Sequence, residues 1–217
     1  VIKKADIVIY QIIDEKHEKY SSDNILKYIN DKCIKISFPY IYNNSFYPFK
    51  GPIIINDSHK KKLTKIIFDN SEKITNIIDE NKTLDEIIDL YIENKIDFDY
   101  NERFKNTMII LMEKEKKTDI KVSEFIINNY KDYPLFMLEN HPTDYIFVYV
   151  VNRILNILGY TELCDIELGI NSCKLGGGIL PIDNSSKDHY NFNFNINRYN
   201  PENADEYYIK IIRNIYD

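Results

Sequence analysis

Two short apolar segments, Asp6-Ile-Val-Ile-Tyr-Gln11 and Cys33-Ile-Lys-Ile-Ser-Phe38, decide the fold of this chain. Both are rich in β-branched residues, as strands buried in a sheet are. Between them, Ser21-Ser22-Asp23 is typical of a helix N-terminus, so the whole stretch predicts a strand, a helix and a second strand. Strands joined through a helix lie parallel in one sheet, and Pro39 closes the second strand.

The rest of the chain reads as mostly helical. Leu63, Ile66 and Ile67 begin a series of helical repeats that continues to about residue 130, with a capping box at Thr83. Residues 135–138 predict a short third strand, and an apolar helix follows to about residue 157, ended by Gly159. Residues 160–200 predict turns and short strands, and a last helix follows. We therefore expect one α/β domain over residues 1–217, with a small parallel sheet and a large helical share.

The composition excludes several classes of protein. The chain has 217 residues, 28 basic and 34 acidic side chains and a net charge of −6, which disfavours nucleic-acid binding. No apolar run reaches the length of a membrane span. Three scattered cysteines predict neither a disulfide framework nor a metal site, so a reducing compartment such as the cytoplasm is expected. The chain opens at Val1 without Met, and we expect a first strand upstream of it.

Two side chains are candidates for catalysis because they follow predicted strands. His141 comes after the third strand and before a helix, with Pro142 at or near the first helical position. Gln11 ends the first strand. Open α/β folds place reactive groups at the carboxyl ends of their strands, where a His can act as a base and a Gln can donate to an oxyanion. The alternatives are a capping or packing His and a Gln that bonds loop backbone.

Two stretches are candidates for holding phosphates. Gly176 and Gly177 belong to a run of three glycines, whose backbone N–H groups could approach a phosphate. Lys60, Lys61 and Lys62 form the one basic cluster, which would suit a phosphate-rich cofactor such as coenzyme A. A flexible hairpin and a solvated helix face are the alternative readings of these two stretches.

The aromatic loop, residues 40–49, is the candidate substrate site. Tyr rings stack on sugar faces and donate from the hydroxyl, so Tyr42 and Tyr47 predict contacts to a sugar acceptor. Asn140 and Thr143, which flank His141, are further candidates for substrate contacts. Packing of the loop within a Tyr-rich chain is the alternative.

The order and spacing of several motifs resemble a known family. Ala5-Asp-Ile-Val-Ile-Tyr-Gln-Ile-Ile13, Ile36-Ser-Phe-Pro-Tyr-Ile-Tyr42 and Phe46-Tyr-Pro48 are followed by Asn140-His-Pro-Thr143 and the apolar helix that Gly159 ends. Together they resemble the WcbI-like polysaccharide-biosynthesis family, whose members are expected to be acetyltransferases, over most of residues 5–160. The family motif Gly-Asn-Cys-Gln does not occur in this chain and would fall before Val1.

The resemblance implies an SGNH-like layout and a function. It implies binding of coenzyme A or acetyl-CoA and acetylation of a deoxy or amino sugar, which a nucleotide can carry, in surface-glycan biosynthesis. Gln11 matches the family's Tyr-Gln strand end and His141 its His-Pro motif. The Ile-, Asn-, Lys- and Tyr-rich composition would suit a giant-virus member. A carbohydrate esterase on the same frame and a non-catalytic glycan-binding module are the competing hypotheses.

Overall fold

The predicted strand–helix–strand unit is confirmed, but Ile7, Ile9 and Ile34 of its two strands are exposed rather than buried. The structure, a computed structural model, describes residues 2–49, 53–57, 62–67, 72–161, 180–196 and 203–216. Strand β1 (Ile7–Gln11) pairs in parallel with β2 (Ile34–Phe38), so that Gln11 lies opposite Phe38. Helix α1 (Ser22–Leu26) connects them and is shorter than the sequence pattern suggests.

Two serines explain how the chain turns from β1 into α1. The hydroxyl of Ser21 accepts from the backbone N–H of Asn24 and caps the helix. The hydroxyl of Ser22 accepts from the N–H of Ile13 at 2.7 Å and donates to the backbone oxygen of Gln11 at 3.4 Å. Ser22 therefore fastens the first turn of α1 to the end of β1.

The helix predicted at Leu63 is wrong. Residues there form β4 (Lys62–Ile67), which pairs antiparallel with β3 (Ile53–Asp57). Short Ile-rich runs fit helical and strand spacing almost equally well, and β-branched residues favour the strand. The structural preference of isoleucine therefore outweighs the apparent helical period in this segment.

Helices make up most of the remaining described chain, and the α/β class with a small parallel sheet is confirmed. The helices are α2 (Glu72–Asp79), α3 (Leu84–Ile92), α4 (Tyr100–Glu115), α5 (Ser123–Asn129), α6 (Asp144–Ile157), α7 (Asn184–Tyr190) and α8 (Ala204–Tyr216). The capping box at Thr83 is present at the start of α3. Helix α7 corrects the expectation of turns and short strands after residue 160. Within the described ranges, no helix is both long and apolar enough to cross a bilayer.

The predicted third strand exists but pairs differently from the first two. Strand β5 (Phe136–Leu138) forms a hairpin with β6 (His141–Pro142), and the two strands are antiparallel. Pro142 therefore lies in a strand rather than in the first turn of a helix, because Thr143 is the N-cap of α6. Gly159, with a φ of 79°, follows the end of α6 as the sequence predicts.

The aromatic loop contributes much of its length to the core, which is the packing alternative that the sequence left open. Phe46, Tyr47 and Phe49 are buried, and the Phe46 ring packs against Phe136 and Tyr190. The other buried side chains of the core come from β2, β5, the helices, the connections between helices and the segments on both sides of α7. The loop lies close to the helices because its rings pack against theirs and bury large apolar surfaces.

Candidate functional site

His141 lies in the hairpin of β5 and β6, opposite Leu138. Its ring is partly exposed, and Nδ1 lies 2.7 Å from Oδ1 of Asn140. Because an amide oxygen only accepts, this contact puts the ring proton on Nδ1 and leaves the lone pair of Nε2 free to take a proton. The arrangement suits a general base whose outward nitrogen is Nε2.

Thr143 follows His141 by two residues and fixes the end of the hairpin to the preceding chain. Its hydroxyl donates to the backbone oxygen of Pro134 at 2.8 Å, and its N–H donates to that of Leu135 at 2.9 Å. The side chain is buried, whereas Asn140 is exposed. Thr143 thus positions the backbone of His141, and direct binding of substrate by Asn140 and Thr143 stays a prediction.

The aromatic loop is joined to this hairpin through Asn43. Its backbone N–H donates to the backbone oxygen of Glu139 at 2.7 Å. Its side-chain oxygen accepts from the N–H and the hydroxyl of Ser45, at 3.0 and 2.6 Å. Asn43 is fully buried, and its Nδ2 atom has no hydrogen-bond partner among the residues that the structure describes. The loop is therefore anchored at this point by backbone and side chain together.

Residues 40–45 alternate between the surface and the core. Ile41, Asn43 and Ser45 are buried, whereas Tyr40 is 42% exposed and Tyr42 and Asn44 are half-buried. This period of two is that of an extended chain, which presents Tyr40, Tyr42 and Asn44 on one side. The rings of Tyr40 and Tyr42 lie 6.2 Å apart at an interplanar angle of 17°.

These three side chains form one wall of a cavity of about 230 Å³, which we call the tyrosine cleft. One face of α4 forms the other wall, because its lining residues recur every three or four positions. The residues of that face are Arg103, Asn106, Thr107, Ile110, Leu111 and Lys114. The rings of the exposed Tyr40 and the half-buried Tyr42 thus face a helix surface that carries both polar and apolar side chains.

Arg103 holds the loop against α4. Its guanidinium donates to the backbone oxygens of Asn44, Tyr47 and Phe98, the Tyr47 bond being 2.9 Å. The Thr107 hydroxyl adds a bond of 3.2 Å to Oδ1 of Asn44. These contacts satisfy carbonyl groups that the irregular loop would otherwise bury without partners.

Tyr47 does not line the tyrosine cleft. Its side chain is fully buried, and its hydroxyl donates to the backbone oxygen of Phe136 at 3.1 Å. The expectation that its ring is presented to an acceptor is therefore not met in this structure, because the ring fills the core beside β5. Tyr42, the other tyrosine singled out by the sequence, does line the cleft.

Gln11 ends β1 as predicted and is half-buried. It belongs to the β1–β2 pair, whereas His141 belongs to the separate β5–β6 hairpin. Among the described residues, no hydrogen bond joins Gln11 to His141. Its role as an oxyanion donor stays a prediction.

The predicted phosphate-binding residues fall largely outside the described part of the chain. Lys60, Lys61, Gly176 and Gly177 lie outside it, and only the backbone of Lys62 is described, at the start of β4 opposite Asp57. Within the described residues, no cluster of His, Cys, Asp and Glu could hold a metal ion.

A second polar cluster is enclosed in the core. Asp183 caps α7 through the N–H of Ser186 at 2.9 Å, and its other oxygen accepts from Tyr91 at 3.0 Å and Ser185 at 2.7 Å. Burial raises the pKa of Asp183 to about 6, against these hydrogen bonds, which favour the charged form. The carboxylate ties α7 to α3, which indicates a structural role.

Comparison with known proteins identifies the family of this chain and a related fold. The sequence profile of the polysaccharide biosynthesis enzyme WcbI matches residues 1–163. The chain belongs to the WcbI family. A solved structure of WcbI, described as a novel polysaccharide biosynthesis enzyme, has a TM-score of 0.74 and 20% identity, covering 99% of this chain and 73% of that chain. That structure is the native protein without a disulfide bond between coenzyme A and a cysteine. No curated protein sequence matches the chain.

Sequence reasoning identified the WcbI family and the tyrosine loop but missed the helix that faces it. The candidates did not include Arg103, Asn106, Thr107 and Lys114, because nothing in the sequence of α4 distinguishes it from any other helix. Their spacing in the sequence could have identified them. The four residues are separated by three, one and seven positions, which puts four hydrogen-bonding side chains on one face of a helix.

Proposed function

We propose that this WcbI family member is an acetyltransferase that moves the acetyl group of acetyl-CoA to a sugar acceptor in polysaccharide or glycan biosynthesis. Family membership supports an enzyme of polysaccharide biosynthesis, and the related structure has a link to coenzyme A. The observation that carries the chemistry is the contact between His141 Nδ1 and Asn140 Oδ1 at 2.7 Å, which leaves Nε2 as the basic nitrogen.

His141 would act first as a base and then as an acid. Its Nε2 atom takes the proton of the acceptor amine or hydroxyl while that nitrogen or oxygen forms a bond to the thioester carbonyl carbon. The carbon–sulfur bond then breaks, and Nε2 returns the proton to the departing thiolate. Asn140 holds the ring in the required tautomer through both steps.

The remaining predicted residues have roles in binding and in charge stabilisation. Gln11 is proposed to donate to the oxygen of the thioester carbonyl as it gains negative charge. Lys60, Lys61 and Lys62 are proposed to contact the phosphates of coenzyme A, with the backbone of Gly176 and Gly177. The exposed Asn140 is proposed to contact the acceptor. We propose the cytoplasm as the compartment, in keeping with the free thiol of Cys33.

Thermal unfolding with coenzyme A, acetyl-CoA and the control nucleoside adenosine tests the proposal. A ligand that binds only the folded protein stabilises it and therefore raises Tm. At a ligand concentration a hundredfold above Kd, the free energy of unfolding increases by about 2.7 kcal/mol. We expect both thioester-related ligands to raise Tm and adenosine alone to have no effect. An unchanged Tm at millimolar coenzyme A would overturn the transferase, and hydrolysis of an acetylated sugar by the same sample would favour an esterase.

A further inference from the structure

We infer that the tyrosine cleft binds the sugar ring of an acceptor that carries a phosphate or similar anionic group, with Lys114 contacting the anion. The inference rests on the proposed function only in that the bound sugar is the acetyl acceptor. Binding of the sugar itself can be measured without any acetyl transfer. It assigns a substrate class to residues of α4 that lie outside the sequence motifs quoted above.

The size and surface of the cleft suit one ring. Its volume of about 230 Å³ lies below the roughly 300–1,000 Å³ of pockets that enclose drug-sized ligands. Tyr40 and Tyr42 lie nearly parallel at 17° and together offer an aromatic surface on one wall. Ile110 and Leu111 supply apolar contact opposite them. A ring with apolar faces and a polar edge matches these walls, and a whole nucleotide sugar would extend beyond the mouth.

The inner end of the cleft carries amide and hydroxyl groups. Asn44 is half-buried, and Thr107, which donates to its Oδ1 atom, is buried. With Oδ1 accepting, the donor end of Asn44 is Nδ2. Asn106 lines the same cavity from the preceding position of α4. Sugar hydroxyl groups both donate and accept, so they are suited to this end.

The outer end of the cleft carries an available positive charge. Lys114 is exposed, and its Nζ lies 5.4 Å from the centre of the Tyr40 ring. The adjacent carboxylate of Glu113 pairs instead with Lys116 at 2.6 Å. Arg103, at the inner end, is engaged with backbone oxygens of the loop. Lys114 is therefore the cation of the cleft that can meet an anion at the mouth.

The position of the cleft fits an acceptor rather than an isolated surface site. Tyr42 and Asn44, which line it, flank Asn43, and Asn43 is bonded to Glu139 in the hairpin that carries His141. One backbone hydrogen bond thus connects the wall of the cleft to the hairpin of the proposed base. An acceptor ring bound by the loop would be held by the same segment that fixes the base.

Isothermal titration with uridine diphosphate glucose and with uncharged methyl glucoside tests the inference directly. The variants are Lys114→Gln with Lys105→Gln as its control, an exposed lysine of α4 outside the cleft. Tyr40→Ala is paired with Tyr20→Ala, because Tyr20 is also exposed and also lies under a lysine. Each variant is checked for an unchanged Tm before titration.

We expect Lys114→Gln to weaken binding of uridine diphosphate glucose about tenfold, since it removes a charge-assisted hydrogen bond. Binding of methyl glucoside should be unchanged by this variant but reduced by Tyr40→Ala, and both controls should stay within about twofold. Equal effects of Lys114→Gln and Lys105→Gln, or absence of binding at millimolar probe, would overturn the inference.

A parallel titration with coenzyme A shows whether Lys114 contacts the phosphates of coenzyme A or the phosphates of a nucleotide sugar. If Lys114→Gln weakens coenzyme A and not uridine diphosphate glucose, the cleft belongs to the thioester ligand and the inference is overturned. If the predicted binding pattern holds but no acetyl group is transferred, the sugar site stands and the proposed transferase fails.

Discussion

The backbone N–H of Asn43 donates to the backbone oxygen of Glu139 across 2.7 Å, and this bond joins the two halves of the proposed active site. Asn43 lies between Tyr42 and Asn44 of the tyrosine cleft, and Glu139 lies in the turn before His141. The sequence separates the two partners by almost a hundred residues. The bond therefore makes the geometry of the site depend on how firmly the loop is held.

Arg103→Lys is expected to loosen that loop. Lysine keeps the charge but cannot reproduce the planar group that donates to the oxygens of Asn44, Tyr47 and Phe98. The free energy of unfolding should fall by about 1–2 kcal/mol, and binding of uridine diphosphate glucose should weaken several-fold. Urea unfolding and titration measure the two effects. The control Arg213→Lys on α8 is exposed and should change neither, and an Arg103→Lys protein that matches it would refute the role.

Glu115→Ala is expected to destabilise the protein more than the loss of an exposed charged side chain would. Glu115 is buried on α4, and its carboxylate accepts from the N–H groups of Val122 at 2.6 Å and Ser123 at 2.8 Å, as well as from the Ser123 hydroxyl. Alanine would leave these buried donors unsatisfied at a cost of about 3 kcal/mol.

Glu113→Ala is the matched control for this change, because Glu113 lies on the same helix in an exposed pair with Lys116. Its removal should cost well under about 1 kcal/mol. Chemical denaturation of both variants measures the difference. Similar losses from the two would show that Glu115 does not cap α5.

Asp183 is expected to make stability fall as the pH rises from about 4 to above 6. Burial raises its pKa from 3.8 to about 6, so between these values the folded protein holds a proton that the unfolded chain releases. The stabilisation is complete below pH 4 and is lost as the pH passes through 6, a change of about 3 kcal/mol. Tyr91, Ser185 and Ser186 face the carboxylate, and the charge of Asp205 raises its pKa further.

The variant Asp183→Asn isolates this effect from the other acids. Glu86, for example, has a lowered pKa because Thr83 donates to it, and it changes stability with pH in the opposite direction. We compare the unfolding free energies of wild type and Asp183→Asn from pH 4.5 to 7. The stability of wild type relative to the variant should fall as the pH rises through this range. A difference that does not vary with pH would contradict a buried, proton-binding Asp183.

The parallel strand pair could be predicted because its signals are local. β1 and β2 are apolar runs, and Ser21 caps the helix between them, so each element could be recognised within a few residues. The capping box at Thr83 is equally local. His141 could be singled out because a histidine before a proline stands at the junction of a strand and a helix.

Other features could not be predicted because they depend on distant partners. Tyr47 is buried because Phe136 and Arg103 meet it from far along the chain, and a run of tyrosines gives no sign of this. Helix α7 has few apolar residues, and it is fixed by the cap from Asp183 and by bonds of Ser186 and Tyr190 to backbone oxygens far along the chain. The strand β4 was masked by isoleucines at helical spacing.

The most direct test of the central claim is acetyl transfer from radiolabelled acetyl-CoA to nucleotide-linked amino and deoxy sugars by wild type, His141→Gln and the exposed-histidine control His17→Gln. A general base contributes roughly 10²–10⁴-fold to a rate, so His141→Gln should lower kcat by about that range. The increase of Tm by coenzyme A should persist in that variant, and His17→Gln should match wild type. Wild-type turnover by His141→Gln would contradict the assignment of His141 as the base.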